Sequence, residues 1–132
     1  MPLTPTETIL VVDDDAAIRR YVSTALMNSG YQVLTEPSGK SGFACFLEHA
    51  DDIDLVVTDI VMPEMSGPEM VRRIQQYRPA VKILFMTGYH PSDVNFPPAC
   101  GVLRKPFSRE AMLSSIQNCL GSDAAPPPAP GP

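Results

Sequence analysis

Short apolar runs alternate along the chain with longer stretches whose apolar residues recur at helical spacing. Residues 8–12 and 53–58 are apolar and rich in β-branched side chains, which predicts strands buried on both faces. Between them, residues 16–28 predict a helix that is capped by Asp15 and ends before Gly30. This alternation is typical of βα units around a parallel sheet.

The rest of the chain continues the same alternation. Further strands are predicted at residues 31–36, 81–86 and 101–103, and further helices at residues 39–49, from Pro68 to about Tyr77, and from a cap at Ser108 to about Leu120. Between the fourth and fifth strands, Pro91, Pro97 and Pro98 leave room for at most a turn or two of helix, around residues 92–95. A shortened fourth helix is therefore predicted.

Length and composition predict one folded domain. The chain has 132 residues, of which 44% are hydrophobic and 19% charged, as is typical of soluble globular proteins. Its last stretch is mostly Ala and Pro and offers nothing to bury. We therefore assign residues 1–120 to the domain and residues 121–132 to a disordered tail or linker.

The net charge and the cysteines indicate which classes of partner and which cellular compartment to expect. A formal net charge of −5 argues against nucleic acid as a partner, because phosphate binding requires a basic face. No apolar run approaches the roughly 20 residues of a membrane-spanning helix, and the first residues, MPLTPTE, lack the pattern of a signal peptide. Three scattered cysteines, Cys45, Cys100 and Cys119, predict free thiols in a reducing cytoplasm.

The unusual polar residues fall at the carboxyl ends of the predicted strands. Asp13 and Asp14 follow the first strand, Asp59 the third, Thr87 the fourth and Lys105 the fifth. In an open parallel sheet, ligands bind at this edge. If the first and third strands are neighbours, three carboxylates converge, and a hard divalent cation such as Mg²⁺ would offset their repulsion. Asp59 is then a candidate nucleophile that accepts phosphorus as an acyl phosphate.

Four segments together resemble the receiver domain of two-component response regulators: ILVVDDD, DLVVTDIVMPEMSG, ILFMTG and LRKPFS. The resemblance covers residues from about 8 to 120. It implies an α/β, flavodoxin-like (βα)₅ three-layer sandwich with strand order 2-1-3-4-5. It also implies a cytoplasmic signal-transduction protein that takes a phosphoryl group from a partner's phosphohistidine with the help of Mg²⁺.

The resemblance implies a role for each motif residue. Asp59 would be the phosphoacceptor, and Asp13 and Asp14 would form the acidic pair that holds Mg²⁺ together with Asp59. Val61, two residues after Asp59, would add its backbone carbonyl to the metal.

Two further motif residues would act on the phosphoryl group. Thr87 would be the switch hydroxyl, and Lys105 would contact the phosphoryl group. The resemblance further implies a cis peptide bond between Lys105 and Pro106.

Four positions are candidate modulators of this chemistry: Pro106, which follows the lysine, and Val102, Gly88 and Tyr89. The family usually carries an aromatic switch residue three positions before the lysine, where this chain has Val102, so its signalling face is expected to differ. Gly88 is small and would leave a path open to a bulky phosphohistidine, or it serves a turn. Tyr89 is either an exposed loop residue or a shield that keeps water from the acyl phosphate.

The leading functional hypothesis is a phosphoacceptor switch that catalyses only its own phosphorylation and dephosphorylation. Its partner would be a sensor histidine kinase or a histidine phosphotransfer protein, and it would be a monomer or weak dimer, either alone or as part of a hybrid kinase. The alternative is a phosphorylation-independent interaction module on the same fold. A phosphatase of the haloacid dehalogenase type is disfavoured, because Val61 stands where such enzymes need a second acid.

Overall fold

The computed structural model describes residues 7–88 and 97–121, and within these ranges it contains five strands and four helices. The chain forms β1 (Thr8–Val12), α1 (Ala16–Asn28), β2 (Gln32–Glu36), α2 (Gly39–Glu48), β3 (Ile53–Asp59), α3 (Gly67–Tyr77), β4 (Lys82–Thr87), β5 (Gly101–Arg104) and α4 (Arg109–Leu120). Every predicted strand is confirmed. The short helix predicted at residues 92–95 and most of the predicted tail lie outside the described ranges.

The five strands form one parallel sheet in the order β2-β1-β3-β4-β5, which confirms the expected topology. β1 lies between β2 and β3, and Val12 at its end pairs with both Glu36 and Thr58. The carboxyl ends of β1 and β3 are therefore neighbours, as the convergence of their aspartates requires. β2 and β5 are the edge strands.

Apolar side chains fill two clusters, one on each face of the sheet. Along β1, Ile9 and Val11 enter the cluster that also contains residues of α1 and α4, whereas Leu10 and Val12 enter the cluster with residues of α2 and α3. This alternation follows from the two-residue period of a strand. All of these β1 side chains are fully buried, which confirms burial of the strand on both faces.

Each helix begins at a side chain that accepts hydrogen bonds from its first turn. Asp15 accepts from the backbone N–H groups of Ala17 and Ile18 and so caps α1, as predicted. Serine side chains cap the other three helices of the described chain in the same way: Ser38, Ser66 and Ser108. Such caps satisfy donors that have no partner within the helix.

The prediction of three free thiols is wrong for two of the cysteines. Cys100 and Cys119 form a disulfide bond, with their Cα atoms 5.6 Å apart, whereas Cys45 is free. The bond joins the residue before β5 to the last turn of α4. No helix among the described residues combines the length and the apolar character that crossing a bilayer requires.

Gly67 allows the loop after β3 to fold tightly against the end of that strand. Its backbone N–H donates a hydrogen bond of 2.9 Å to the carbonyl of Ile60. A Cβ atom at this position would lie 2.0 Å from the backbone oxygen of Asp59. The loop therefore fits only if residue 67 has no side chain, and its position fixes the backbone that carries Asp59.

We expect Gly67→Ala to lower the free energy of unfolding by about 2 kcal/mol or more, because the new methyl group displaces backbone atoms rather than a flexible side chain. Urea denaturation followed by circular dichroism measures the change. Gly101→Ala is the matched control, since a Cβ there meets Leu84 at an ordinary 3.5 Å. Equal stability of the two variants would contradict this account.

Candidate functional site

Three carboxylates converge where β1 and β3 end. Asp13 and Asp14 directly follow β1, and Asp59 is itself the last residue of β3. Ligand oxygens of the three side chains all lie within 4.8 Å of one another. Asp13 is fully buried, Asp59 is half-buried and Asp14 is exposed. The convergence expected from the sequence is confirmed.

The ammonium group of Lys105 lies between two of these carboxylates. Its Nζ is 2.9 Å from Oδ2 of Asp13 and 3.4 Å from Oδ2 of Asp59. The backbone N–H of Lys105 donates a 2.7 Å hydrogen bond to the carbonyl of Thr87, so the end of β4 sets the position of the lysine. Residues from β1, β3, β4 and the segment after β5 thus meet at one edge of the sheet.

Asp13 is held from several sides. Its Oδ1 accepts a 2.9 Å hydrogen bond from the backbone N–H of Asp15, and its backbone carbonyl accepts one of 2.7 Å from the Arg19 guanidinium. Its backbone N–H donates to the carbonyl of Glu36 at the end of β2. These bonds fix the backbone of Asp13 on two sides and one oxygen of its carboxylate.

The environment of Asp59 disfavours its charged form. Burial, followed by the nearby charge of Asp13, raises the pKa of Asp59, and this outweighs the opposing effects of Lys105 and of the Ile60 backbone N–H, which donates to Oδ1 at 2.8 Å. Burial lowers the pKa of Lys105, but its contacts with Asp13 and Asp59 outweigh burial and raise it. The lysine is therefore charged at neutral pH and lies beside two of the three converging carboxyl groups.

The donor set suits a hard divalent cation. All three converging side chains offer carboxylate oxygens, which Mg²⁺ prefers, and the exposed Asp14 leaves one side open to water and phosphate oxygens. A divalent charge would offset the repulsion that raises the pKa of Asp59. Val61, two residues beyond β3, is half exposed at this edge.

The remaining predicted residues surround the carboxylates. Thr87 is the last residue of β4, one position beyond the register partner of Asp59, and is buried. The Lys105–Pro106 peptide bond is cis, as expected. A Cβ atom at Gly88 would meet no neighbouring atom within 4 Å. Val102 is exposed on β5, and Tyr89 lies outside the described residues.

An apolar groove of about 480 Å³ adjoins Lys105. Ile18 and Tyr21 of α1 form one side and Pro106 and Phe107 the other, with the rings of Tyr21 and Phe107 6.2 Å apart. Tyr21 is 44% exposed, so the groove presents aromatic surface to solvent beside the charged site.

The groove and the hydrogen bonds from Arg19 and Ile60 were not predicted from the sequence. The groove joins α1 to a segment almost ninety residues later, and no local pattern connects them. The bond from Arg19 had a weak signal, since Arg19 lies in the first turns of the helix that starts beside Asp13.

A family profile for the response regulator receiver domain matches residues 9–117, which include all the site residues described above. The chain belongs to this family. Receiver domains are signalling modules of two-component systems rather than enzymes that turn over an external substrate. The family assignment is consistent with Val61 at the position where a phosphatase of the haloacid dehalogenase type needs a second acid after the nucleophile.

Curated relatives include both short and long proteins. The chain is 36% identical over 116 residues to the response regulator receiver protein CpdR of Brucella abortus (strain 2308), with 85% of this chain and 95% of CpdR covered. It is 33% identical over 126 residues to the sensor kinase CckA of the same organism, with 89% of this chain covered but only 13% of the kinase. The chain thus spans a small part of some relatives and nearly all of another.

Solved structures agree with the fold and the family. A receiver domain protein from Clostridium thermocellum gives a TM-score of 0.79 at 30% identity, covering 87% of this chain and 94% of that one. The receiver domain of the hybrid histidine kinase CckA gives 0.76 at 26% identity, covering 86% and 98%. Chemotaxis response regulator CheY4 of Vibrio cholerae gives 0.79 at 32% identity, covering 87% and 99%.

We expect Asp59→Asn to stabilise the metal-free chain at neutral pH. A carboxyl group whose pKa is raised by folding stabilises the folded chain at low pH, and this contribution is lost as the pH rises. The neutral amide avoids that loss, so the advantage of the variant should shrink as the pH falls to about 4, near the ordinary pKa of aspartate.

Urea denaturation in the presence of a chelator, at neutral pH and at about pH 4, measures the difference. The control is Asp51→Asn, an exposed aspartate at the opposite end of β3, which should leave stability unchanged. An Asp59→Asn variant less stable than the wild type at neutral pH would show that the Lys105 ion pair outweighs burial and repulsion.

Proposed function

We propose that this receiver domain is a phosphoacceptor switch in which Asp59 takes a phosphoryl group from the phosphohistidine of a partner. The observation that carries the proposal is the position of the Lys105 Nζ, within 3.4 Å of the Asp59 carboxylate and 2.9 Å of the Asp13 carboxylate. A cation held beside the acceptor by a second carboxylate is placed to meet negative charge arriving on phosphoryl oxygens.

In the transfer, one carboxylate oxygen of Asp59 forms a bond to phosphorus while the phosphorus–nitrogen bond of the phosphohistidine breaks. The leaving imidazole nitrogen takes the bonding electron pair, and an acyl phosphate remains on Asp59. Lys105 contacts the phosphoryl oxygens, and the hydroxyl of Thr87 binds the same group and reports its presence. Hydrolysis of the acyl phosphate by water returns the carboxylate, so the chain acts only on itself.

Asp13, Asp14 and Asp59 would hold Mg²⁺, together with the backbone carbonyl of Val61. The carboxylate oxygens that lie within 4.8 Å of one another support this assignment. When bound, Mg²⁺ neutralises charge on the phosphoryl oxygens. Among this chain's own groups, Asp13 also orients Lys105, and Asp14 is exposed, so water would have access to a metal held there.

The partner would be a sensor histidine kinase or a histidine phosphotransfer protein that docks over the groove between α1 and the segment after β5. This groove opens beside Lys105 and offers apolar and aromatic surface, which suits the apolar face of a helix that carries the histidine. Similarity to the sensor kinase CckA and to the receiver protein CpdR supports a phosphorelay partner.

The proposal also covers the extent of the domain, its compartment, its assembly and two residues near the site. Residues 1–120 form the receiver domain, residues 121–132 form a tail or linker, and the chain works in the cytoplasm as a monomer or weak dimer. It acts alone, as the coverage of CpdR suggests, or within a hybrid kinase, as the match to CckA suggests. Tyr89, which lies outside the described residues, would either shield the acyl phosphate from water or be an exposed loop residue, and Val102 would alter the usual signalling face.

Incubation with Mg²⁺ and a small phosphodonor such as acetyl phosphate should add the mass of one phosphoryl group to the wild-type chain. The reaction should disappear in Asp59→Asn and in the presence of a chelator, and Lys105→Met should slow it by about 100-fold, since it removes a charge from the reacting centre. Intact-protein mass spectrometry measures the modified fraction.

Asp54→Asn is the matched control for phosphorylation, because Asp54 lies on the same strand but at its other end, where it accepts a hydrogen bond from the Thr8 backbone N–H. This variant should be phosphorylated like the wild type. A wild-type chain that gains no mass would favour the phosphorylation-independent interaction module instead.

Tyr21→Ala should slow phosphoryl transfer from a phosphorylated histidine kinase or phosphotransfer protein by about tenfold, because it removes exposed aromatic surface from the groove. Reaction with acetyl phosphate should be unchanged. Rapid-quench kinetics with a donor that phosphorylates the wild type measures both rates.

The matched control is Tyr77→Ala, an exposed tyrosine whose ring also contacts one aromatic neighbour, but on α3 and away from the groove. Equal slowing by the two variants would remove the groove from the docking surface.

A further inference from the structure

The disulfide partners lie at the base of the unit formed by β5 and α4. Cys100 immediately precedes β5, and Cys119 lies in the last turn of α4, the helix that follows that strand. Their Cα atoms are 5.6 Å apart, within the usual range for a disulfide. The bond therefore joins the start of an edge strand to the end of the helix packed beside it.

The two cysteine residues differ in access to solvent. Cys119 is 2% exposed and belongs to the apolar cluster that contains residues of α1 and α4, whereas Cys100 is exposed. A small thiol or disulfide in solution therefore reaches residue 100 more readily than residue 119. The Sγ of Cys100 lies 2.9 Å from the Ile83 carbonyl oxygen, to which a reduced thiol can donate a hydrogen bond. A reduced Cys119 is a small residue suited to an apolar core, so the fold accommodates both forms.

The third cysteine is a poor competitor for exchange. Burial, with the charges of Glu36 and Glu48, raises the pKa of Cys45 to about 11. At neutral pH its thiol is almost entirely protonated, and the thiol is a weak nucleophile compared with the thiolate. Thiol exchange in this chain is thus directed to the exposed Cys100.

The disulfide bond is connected to the phosphoryl site through β5, because the bond lies at the start of this strand and Lys105 follows its end. This strand pairs only with β4 among the described strands, over four residues, and Lys105 follows its last residue. Hydrogen bonds secure both of its ends: the Cys100 N–H donates to the Ile83 carbonyl and the Lys105 N–H to the Thr87 carbonyl, each at 2.7 Å. A covalent link at the first end limits fraying that would otherwise spread toward Lys105.

We propose that Cys100 and Cys119 form a reversible thiol–disulfide switch whose oxidised form holds β5, and with it Lys105, more firmly in the sheet. The oxidant is a small-molecule disulfide such as oxidised glutathione. The Cys100 thiolate bonds to one of its sulfur atoms and releases one glutathione thiolate. The Cys119 thiolate then bonds to the Cys100 sulfur and releases the second. The two protons lost by the cysteines are taken up by the two released thiolates.

The first test is equilibration of the full chain in mixtures of reduced and oxidised glutathione, followed by alkylation and mass spectrometry. Cys100 and Cys119 should change together between two thiols and a disulfide across the range of mixtures, with the same curve in Cys45→Ser. Reduction should raise the unfolding equilibrium constant roughly 100-fold, as expected for opening a loop of this length. A pair that stays reduced in pure oxidised glutathione, or stays bonded in pure reduced glutathione, would overturn the switch.

The second test is amide hydrogen exchange of both forms. The amides of Cys100 and Lys105 should be about tenfold better protected in the oxidised chain, if opening of β5 accounts for their exchange. The Gln32 amide, which donates to the Glu7 carbonyl at the opposite sheet edge, is the internal control and should not change. Cys100→Ser should match the reduced wild type in both oxidising and reducing buffer.

Equal protection of Lys105 in the two forms would refute the link between the bond and the phosphoryl site. Neither test measures phosphorylation, so its outcome is independent of whether Asp59 is the acceptor.

Discussion

The ammonium group of Lys105 lies between the carboxylates of Asp13 and Asp59. This contact forms only if β1, β3 and β5, which are distant in sequence, end side by side at the same edge of the sheet. A strand rises about 3.3 Å per residue, so a shift of β5 by one residue would carry Lys105 out of reach of both carboxylates. The 2.7 Å hydrogen bond from the Lys105 N–H to the Thr87 carbonyl fixes that register. The two apolar clusters hold the strands at this level, and the polar site depends on them.

Close packing at the end of β3 also explains why residue 67 must be a glycine. The backbone oxygen of Asp59 lies only 2.0 Å from the position of a Cβ atom at residue 67, so the loop between β3 and α3 folds directly onto the end of β3. Ser66 caps α3 and Pro68 occupies its first turn, so the helix begins immediately after this short loop. A short, tightly closed loop leaves Asp59 between a rigid backbone and the open edge of the sheet.

Much of this arrangement could be predicted from sequence because apolar runs end where the site begins. Asp13, Asp59, Thr87 and Lys105 each stand at the end of such a run, and parallel strands bring these ends together. Asp59 and Thr87 proved to be the last residues of their strands rather than the residues after them. Hydrophobicity marks where burial stops, whereas a strand continues as long as its backbone is paired, which polar residues permit.

The disulfide and the groove could not be predicted for a different reason. Cys100 and Cys119 are separated by 19 positions and form no local motif, so their pairing depends on the packing of α4 against β5. The contact of Tyr21 with Phe107 likewise depends on how α1 lies beside the segment after β5. Sequence patterns specify which face of each element is buried, but not which residues two neighbouring elements bring together.

The half-buried carboxyl group of Asp59 lowers the free energy of unfolding at neutral pH. Burial and Asp13 raise the pKa of Asp59, so ionisation of this carboxyl group is less favourable in the folded chain than in the unfolded chain, and Lys105 offsets this only in part. The same imbalance favours cation binding, because a cation beside the three carboxyl groups would offset the repulsion between Asp13 and Asp59. Lys105 is attached to the shortest strand, at the sheet edge, where small changes in strand pairing alter its position most. The position of Lys105 beside Asp13 and Asp59 therefore depends on an edge strand rather than on the buried centre of the sheet.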